Sequence, residues 1–282
     1  MNKKYLLATA CNEKYEEFLI NHWLRSLKSN CTLESIDIVV IDYGLSENAR
    51  KILKSEAVLI KIAGKFKGHI NNTRFLELND FLLENENYEQ VVLCDSGDII
   101  FQSDISHLFQ LEPEKIKAVC EEISPNMEIV ANDKNVKNAD EIKKFLSDKK
   151  LINAGFVIYP RKQFVELVWS MNEIIRDLDA WGTDMVVLNY YAYKKDFYQL
   201  HPKYNFIPTT TQKKYKVKNG KFYLVENGKV ELIPVVHNAG RHKLFRPILN
   251  FGYGESYNIP RPLAIFALRT FYQVLSLFKS KR

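Results

Sequence analysis

The chain has 282 residues, 46% apolar and 26% charged, with 40 lysines and arginines against 34 aspartates and glutamates. That size and balance suit one large soluble α/β domain, or one domain with a small appendage. The net charge of +6 favours anionic partners such as nucleotide phosphates or acidic lipid, and nucleic acid is not expected as a partner.

The N-terminus, MNKKYLLATACNEKYEEF, holds an apolar stretch too short for a signal sequence, with acids directly after it. No run of about 18 apolar residues predicts a spanning helix. Cys11, Cys31, Cys94 and Cys120 form no Cys-x-x-Cys pair, which argues against zinc. Cys94 and Cys120 lie in strand-like runs and read as small buried hydrophobes. The expected location is a reducing cytoplasm.

Strand and helix patterns alternate from the start. Tyr5–Ala10 reads as a strand, and Tyr15–Leu27 as a helix with Phe18, Leu19, His22, Trp23 and Leu27 near helical spacing. Ser35–Asp42 is a second strand. Ser46 is placed to cap a helix over Glu47–Lys54. AVLIKI is a third strand, NNTRFLELNDFLLEN a helix, YEQVVLCD a fourth strand and KAVCEE a fifth. This order predicts a mostly parallel sheet with right-handed crossovers and a ligand site beyond the carboxyl ends of its strands. Asp42 and Asp95 both fall there.

Pro125–Lys150 is polar and reads as an excursion with one short helix. LINAGFVIYP returns to strand, and RKQFVELVWSMNEIIRDL to helix. Asn219-Gly220 and Asn227-Gly228 separate alternating segments and predict a small antiparallel meander. Its lysines, Lys213, Lys214, Lys216 and Lys218, read mainly as a solvated edge. The tail carries a broad apolar stripe (Leu263, Phe266, Ala267, Thr270, Phe271, Val274, Leu275, Phe278) beside Arg261, Arg269, Lys279, Lys281 and Arg282. Two readings stand for it: a terminal helix packed on the domain, or an amphipathic anchor on anionic lipid. The expected division is a domain over residues 1–260 and this C-terminal helix over 261–282.

VVLCDSGDIIF places Asp95 and Asp98 three residues apart between buried runs. Burying a carboxylate is costly unless it is paired, hydrogen-bonded or bound to a metal. Spaced carboxylates at a strand end suit Mg²⁺ or Mn²⁺; the alternative is an Asx-type turn. VVHNAGRHK ends a strand in His237, a candidate third donor. Gly240 would let backbone approach a phosphate, and Lys243 would supply a point charge.

In chain order, ACNEKY, VIDYGLSENARKIL, NNTRFLEL, VVLCDSGDIIF, INAGFVIYPRKQFVE, DMVVLN, LHPKYNFIP and VVHNAGRHK together resemble glycosyltransferase family 8. These are nucleotide-diphospho-sugar transferases of GT-A fold, notably bacterial lipooligosaccharide and capsule enzymes. The likeness spans about residues 5–245. It implies a Rossmann-like mixed, mostly parallel sheet flanked by helices. It implies Asp98 and His237 as metal ligands, with Asp95 or Ser96 as the third. Ala8, Thr9, Asn12 and Asp42 would lie near the nucleotide, with Ser96 and Gly97 beside it. Gly240 and Lys243 would meet the phosphates. Arg74 would sit between sugar and phosphates, Asn153, Ala154 and Gly155 would line the sugar pocket, and Asp184 would bond a sugar hydroxyl. Arg74, Asn153 and Asp184 are thus the expected catalytic group.

Met185 stands where the family has glutamine. A thioether is no general base, which fits a front-face mechanism where the leaving phosphate deprotonates the acceptor. The implied activity is metal-assisted hexose transfer, with retention, from a UDP-sugar to a glycan or glycolipid hydroxyl. An anionic membrane surface at the inner face of the cell membrane is a further expected partner. A nucleotide-sugar-binding subunit without turnover and a nucleotide-sugar diphosphate hydrolase are the alternatives.

Overall fold

The computed structural model describes residues 3–122 and 130–239, with isolated positions 248–249, 257–258, 263, 266–267 and 270. The expected tail helix over 261–282 therefore lies almost wholly outside the described residues, as do Gly240 and Lys243. Among the described residues no helix is long and apolar enough to cross a membrane.

At the centre, strand β1 (Tyr5–Cys11) pairs in parallel with β2 (Ile36–Asp42) and β4 (Gln90–Asp95), and β2 with β3 (Leu59–Ile62). β4 is followed by β5 (Ile99–Phe101), which leaves this sheet. The sheet continues through β6 (Lys117–Cys120), β7 (Ile152–Pro160) and β8 (Tyr198–Gln199) in the order β3-β2-β1-β4-β7-β6-β8. β7 runs antiparallel to both its neighbours, filling the space between β4 and β6. The sheet is thus mixed and mostly parallel, as a GT-A fold requires.

Both faces of the sheet are covered, so its strands read as continuous apolar runs rather than alternating ones. The period-2 pleat still divides them. Leu6, Val39, Val91 and Leu93 face one core, with helices α4 (Ile70–Glu84), α6 (Arg161–Ile174) and α7 (Thr183–Lys195) packed over it. Leu7, Ile38, Val40 and Val92 face the other, beneath α3 (Glu47–Ser55) and the helical stretch that follows β1. That stretch runs from α1 (Glu16–Phe18) through a wider-wound segment, Leu19–Leu24, to α2 (Arg25–Asn30). It buries Leu19, Trp23, Leu24 and Leu27. His22, expected near helical spacing with the buried residues, is half-buried with its ring tilted against Phe18 at 4.8 Å between ring centres.

Ser46 caps α3 as expected, its hydroxyl accepting the Ala49 N–H at 3.1 Å. The excursion contains α5 (Ala139–Leu146). α6 ends at Ile174, short of the expected Leu178, because Ile175 turns extended and bridges Val136. The meander forms as read: β9 (Lys214–Lys218), β10 (Lys221–Glu226) and β11 (Lys229–Leu232) are antiparallel. Asn219, Gly220, Asn227 and Gly228 all take positive φ, as type I′ hairpin turns demand. Its inner face packs Phe222 and Leu224 against Ile100, Phe206 and Val236. Ile100 and Val236 belong to a ribbon in which β12 (Val235–His237) pairs antiparallel with β5. That ribbon carries the site described next.

Candidate functional site

The chain leaves the sheet at Asp95, turns through Ser96 and Gly97, and enters β5 one residue after Asp98. Ribbon pairing sets His237 opposite Ile99, and the Asn238 N–H donates to the Asp98 carbonyl at 2.8 Å. The imidazole therefore arrives beside the acids. His237 Nε2 lies 3.3 Å from Asp98 Oδ1 and 3.5 Å from Asp95 Oδ2. One donor atom from each of the three residues falls within 4.8 Å of the others. Ser96 is turned away, its hydroxyl donating to the Ala10 carbonyl at 2.8 Å. Of the two candidates for a third ligand, the fold brings Asp95 and not Ser96 to His237. Two carboxylates and an imidazole fit Mg²⁺ or Mn²⁺, since hard oxygen donors dominate the set.

Burial alone would lower the basicity of His237; the Asp98 and Asp95 carboxylates outweigh it and hold the imidazolium up to about 10. Burial likewise favours a neutral Asp95, yet Arg74 and His237 hold its carboxyl well below the usual range. Asp95 keeps 33% of its side chain exposed, so this pull is softened by solvent.

Arg74 comes from α4 and is 5% exposed. Its guanidinium is paired with Asp95, lies 3.7 Å from Asp184 Oδ2, and donates at 3.5 Å to the Ala154 carbonyl. Asp184 lies in the first turn of α7 and is also buried. Asn72, two residues before Arg74 on α4, fixes that helix start: its Oδ1 accepts the Thr183 hydroxyl at 2.8 Å and the Asp184 N–H at 2.9 Å. Its Nδ2 donates to the Leu178 and Ala180 carbonyls. Burial pushes Asp184 up to about 6, against the pull of Arg74. Asp184 Oδ1 and Arg74 Nε are buried with no hydrogen-bond partner among the described residues. Such groups are costly and call for an explanation.

Between β6 and β7 the register slips: Ala118 pairs with Val157, but Cys120 pairs with Ile152. The resulting bulge on β7 carries Asn153, Ala154 and Gly155. Bulges of this kind re-aim side chains beside active sites. Asn153 Oδ1 accepts the Gly155 N–H at 2.8 Å and an Asn205 Nδ2 hydrogen at 3.1 Å, while its Nδ2 donates to Glu121 at 2.6 Å. Asn205 Oδ1 lies 2.9 Å from His237 Nδ1. Gly155 itself backs the imidazole: a Cβ there would lie 2.2 Å from His237 Cε1.

The remaining residues expected at the nucleotide lie along β1 and at or just past the neighbouring ends of β1, β2 and β4. Ala8 and Thr9 are fully buried within β1, and the Thr9 hydroxyl donates to the Cys94 carbonyl. The Asp42 carboxylate is taken up by the Gly44 and Leu45 N–H groups and by Arg50 Nε at 2.6 Å. Asn12 sits half-buried just past β1, its Oδ1 without a partner among the described residues. Gly97 lies under the Tyr15 ring, where an added Cβ would come within 2.9 Å of it. Met185 packs with the core rather than pointing a polar group at the site. Sequence reasoning missed Asn72, Glu121 and Asn205, and also Tyr15. The Tyr204-Asn205 pair was visible within LHPKYNFIP, but its partner in space was not.

No protein-family model matches the chain, and no curated protein matches it. Solved structures resemble it in fold. Against the galactosyltransferase LgtC, solved with donor and acceptor sugar analogues, the TM-score is 0.51 at 13% identity, covering 87% of this chain and 90% of that one. GlyE, a glycosyltransferase of Streptococcus pneumoniae, gives 0.55 at 16% identity, covering 99% of this chain and 64% of that one. The bifunctional glycosyltransferase WbbM gives 0.54 at 15% identity and 87% of this chain, which spans 47% of the WbbM chain. At these identities the likeness establishes a shared fold.

Proposed function

We propose that the chain is a metal-assisted glycosyltransferase of the family 8 kind, moving a hexose from a UDP-sugar to a hydroxyl of a surface-glycan acceptor with retention. The acceptor would be a lipopolysaccharide, capsule or similar glycan. The observation that carries this reading is the convergence of Asp95, Asp98 and His237 beside a buried Arg74–Asp184 pair with an unspent carboxylate oxygen. The fold shared with sugar transferases supports it.

Asp95, Asp98 and His237 would hold Mn²⁺ or Mg²⁺, whose charge neutralises a departing diphosphate. Arg74, pinned by Asp95 and Asp184, presents a fixed guanidinium toward the same phosphates. Asp184 Oδ1 accepts a donor-sugar hydroxyl and thereby satisfies its own missing bond. Tyr15, half-exposed over the Ser96-Gly97 turn, offers a ring face to the base. No protein base is supplied by Met185. The bond from the anomeric carbon to the diphosphate breaks, the acceptor oxygen bonds to that carbon, and the acceptor proton passes to the departing phosphate oxygen. The chain's own contribution is position and charge.

An anionic membrane surface is proposed as a further partner. The outer face of the meander exposes Lys214, Lys216 and Lys218, and Val230 is 56% exposed on the same sheet. By register Lys216 lies opposite Tyr223, and Val225 opposite Val230. Basic and apolar groups on one face suit acidic headgroups.

The test is a panel of UDP-hexoses with and without Mn²⁺, read as melting temperature and as UDP release with glycan acceptors. The expected result is a rise in melting temperature that needs both ligands, and UDP release that needs an acceptor. Absence of any shift with every UDP-hexose in Mn²⁺ refutes the reading. Binding without turnover favours the non-catalytic alternative, and release without acceptor favours the hydrolase.

A further inference from the structure

We infer that Asn205, locked through Asn153 by the Gly155 N–H, is a positioning residue that keeps the proton of His237 on Nδ1 and so presents Nε2 to a divalent cation. The inference rests on the proposed metal-assisted reading and goes one layer behind it.

The logic is one of hydrogen-bond polarity. A backbone N–H can only donate. The Gly155 N–H meets an Asn153 side-chain atom at 2.8 Å, so that atom is the amide oxygen. The other end of Asn153 is then its NH₂, and it does meet an acceptor, Glu121 Oε1, at 2.6 Å. Facing the Asn153 oxygen at 3.1 Å, Asn205 must present its own NH₂. That leaves Asn205 Oδ1 turned to His237 Nδ1 at 2.9 Å. An oxygen there accepts only from N–H, so Nδ1 keeps its hydrogen and Nε2 is the nitrogen that coordinates. The whole chain of amides is buried: Glu121 is 8% exposed, Asn153 9%, Asn205 2% and His237 2%. In the intact protein the relay is therefore closed to bulk water. Asn205 is itself held in place, since the Phe206 N–H donates to the Val235 carbonyl and the His237 N–H to the Phe206 carbonyl. The backbone ladder and the amide relay thus set the same ring from two sides. Groups behind a metal-bound imidazole act in this way, by fixing tautomer and orientation, and their loss commonly weakens metal binding 10- to 100-fold.

The test uses the full chain and Mn²⁺ alone, with free Mn²⁺ counted by electron paramagnetic resonance. Asn205→Ala removes the acceptor and is expected to weaken Mn²⁺ binding by about 10- to 100-fold. Asn205→Asp keeps an acceptor for Nδ1–H but loses the donor to Asn153. It is expected to lower the melting temperature while binding Mn²⁺ at least as tightly as wild type. A merely structural role would instead weaken stability and binding together in both variants. In the Zn²⁺-loaded wild type, nitrogen NMR of the histidines should show His237 protonated on Nδ1 and ligated through Nε2. If wild type binds Mn²⁺ and Asn205→Ala binds it equally well, or if Nδ1 proves to be the ligating atom, the inference falls while the proposed function survives. If wild type binds no Mn²⁺, both fall.

Discussion

Gly155→Ala should be the most damaging glycine-to-alanine change among the described residues. The added Cβ would lie 2.2 Å from His237 Cε1, 2.7 Å from its Nδ1 and 2.9 Å from Asn153 Oδ1. Ordinary carbon contacts begin near 3.5 Å, so the ring must retreat by about 1 Å or more. It has nowhere easy to go. Asn205 holds its Nδ1, and its Nε2 already lies 3.3 Å from the Asp98 carboxylate. Overpacking of this kind costs about 1–3 kcal/mol. A misplacement of about 1 Å at a reacting or ligating group costs on the order of 10²-fold in rate. Mn²⁺ titration and UDP release, measured beside a denaturant melt, would separate the two effects. The reasoning requires both to worsen. A Gly155→Ala protein with wild-type Mn²⁺ affinity and wild-type stability would show that His237 does not occupy the position described.

Lys117 is fully buried on β6, donating to Gln90 Oε1 at 2.7 Å, and burial lowers it to about 8 against the opposing pull of Glu112 and Glu114. Between that value and its usual 10.5, the unfolded chain binds the proton and the folded chain does not, so stability at this residue rises with pH over that window. Wild type should gain up to about 3 kcal/mol relative to Lys117→Met between pH 8 and 10.5, read from urea melts; parallel pH profiles would refute it. Replacing Lys214, Lys216 and Lys218 together by alanine should weaken sedimentation with anionic vesicles by about 100-fold, at about 1 kcal/mol per lysine. Unchanged binding, or equal binding to neutral vesicles, would remove the meander as the lipid-facing surface.

Much of the fold was legible because its signals are local. The strand VVLC is apolar throughout because both of its faces are covered, and Asn219-Gly220 and Asn227-Gly228 took the positive φ their turns demand. The reversed direction of β7 was not legible: its run of buried residues is the same whichever way the strand points. Asp95, Asp98 and His237 could be named from type and spacing, but the family resemblance left Asp95 and Ser96 as rivals. Only the turn, which points the Ser96 hydroxyl at Ala10, separates them. Asp42 illustrates the opposite limit. Its carboxylate accepts from its own turn and pairs with Arg50, contacts that its place at a strand end did not announce. Glu121 and Asn205 lie far apart in sequence and are joined only through Asn153 on the β7 bulge, so no local pattern announced that they belong together.

The Arg74–Asp184 pair also tells whether these charges serve the fold or the site. A buried ion pair is weak evidence for stability, because desolvation offsets much of its attraction. Here the pairing is loose, at 3.7 Å, and one oxygen of Asp184 has no partner among the described residues. A pair kept for strength would be closer and fully satisfied. Arg74→Met leaves both Asp95 and Asp184 without their shared cation and should destabilise the protein by about 3–5 kcal/mol at pH 8. The Asp184 share of the loss should shrink toward pH 5, where Asp184, already raised to about 6, can take a proton and no longer needs a counter-charge. Arg74→Met/Asp184→Val removes both members of this pair and should recover the part of the loss that belongs to Asp184, the part that belongs to Asp95 remaining, while losing the UDP-sugar-dependent rise in melting temperature altogether. Recovery of stability without recovery of ligand response would mean that the pair is retained for what it holds. Additive destabilisation in the double variant would mean that the two residues do not interact as described, and that Asp184 is an ordinary helix-start residue.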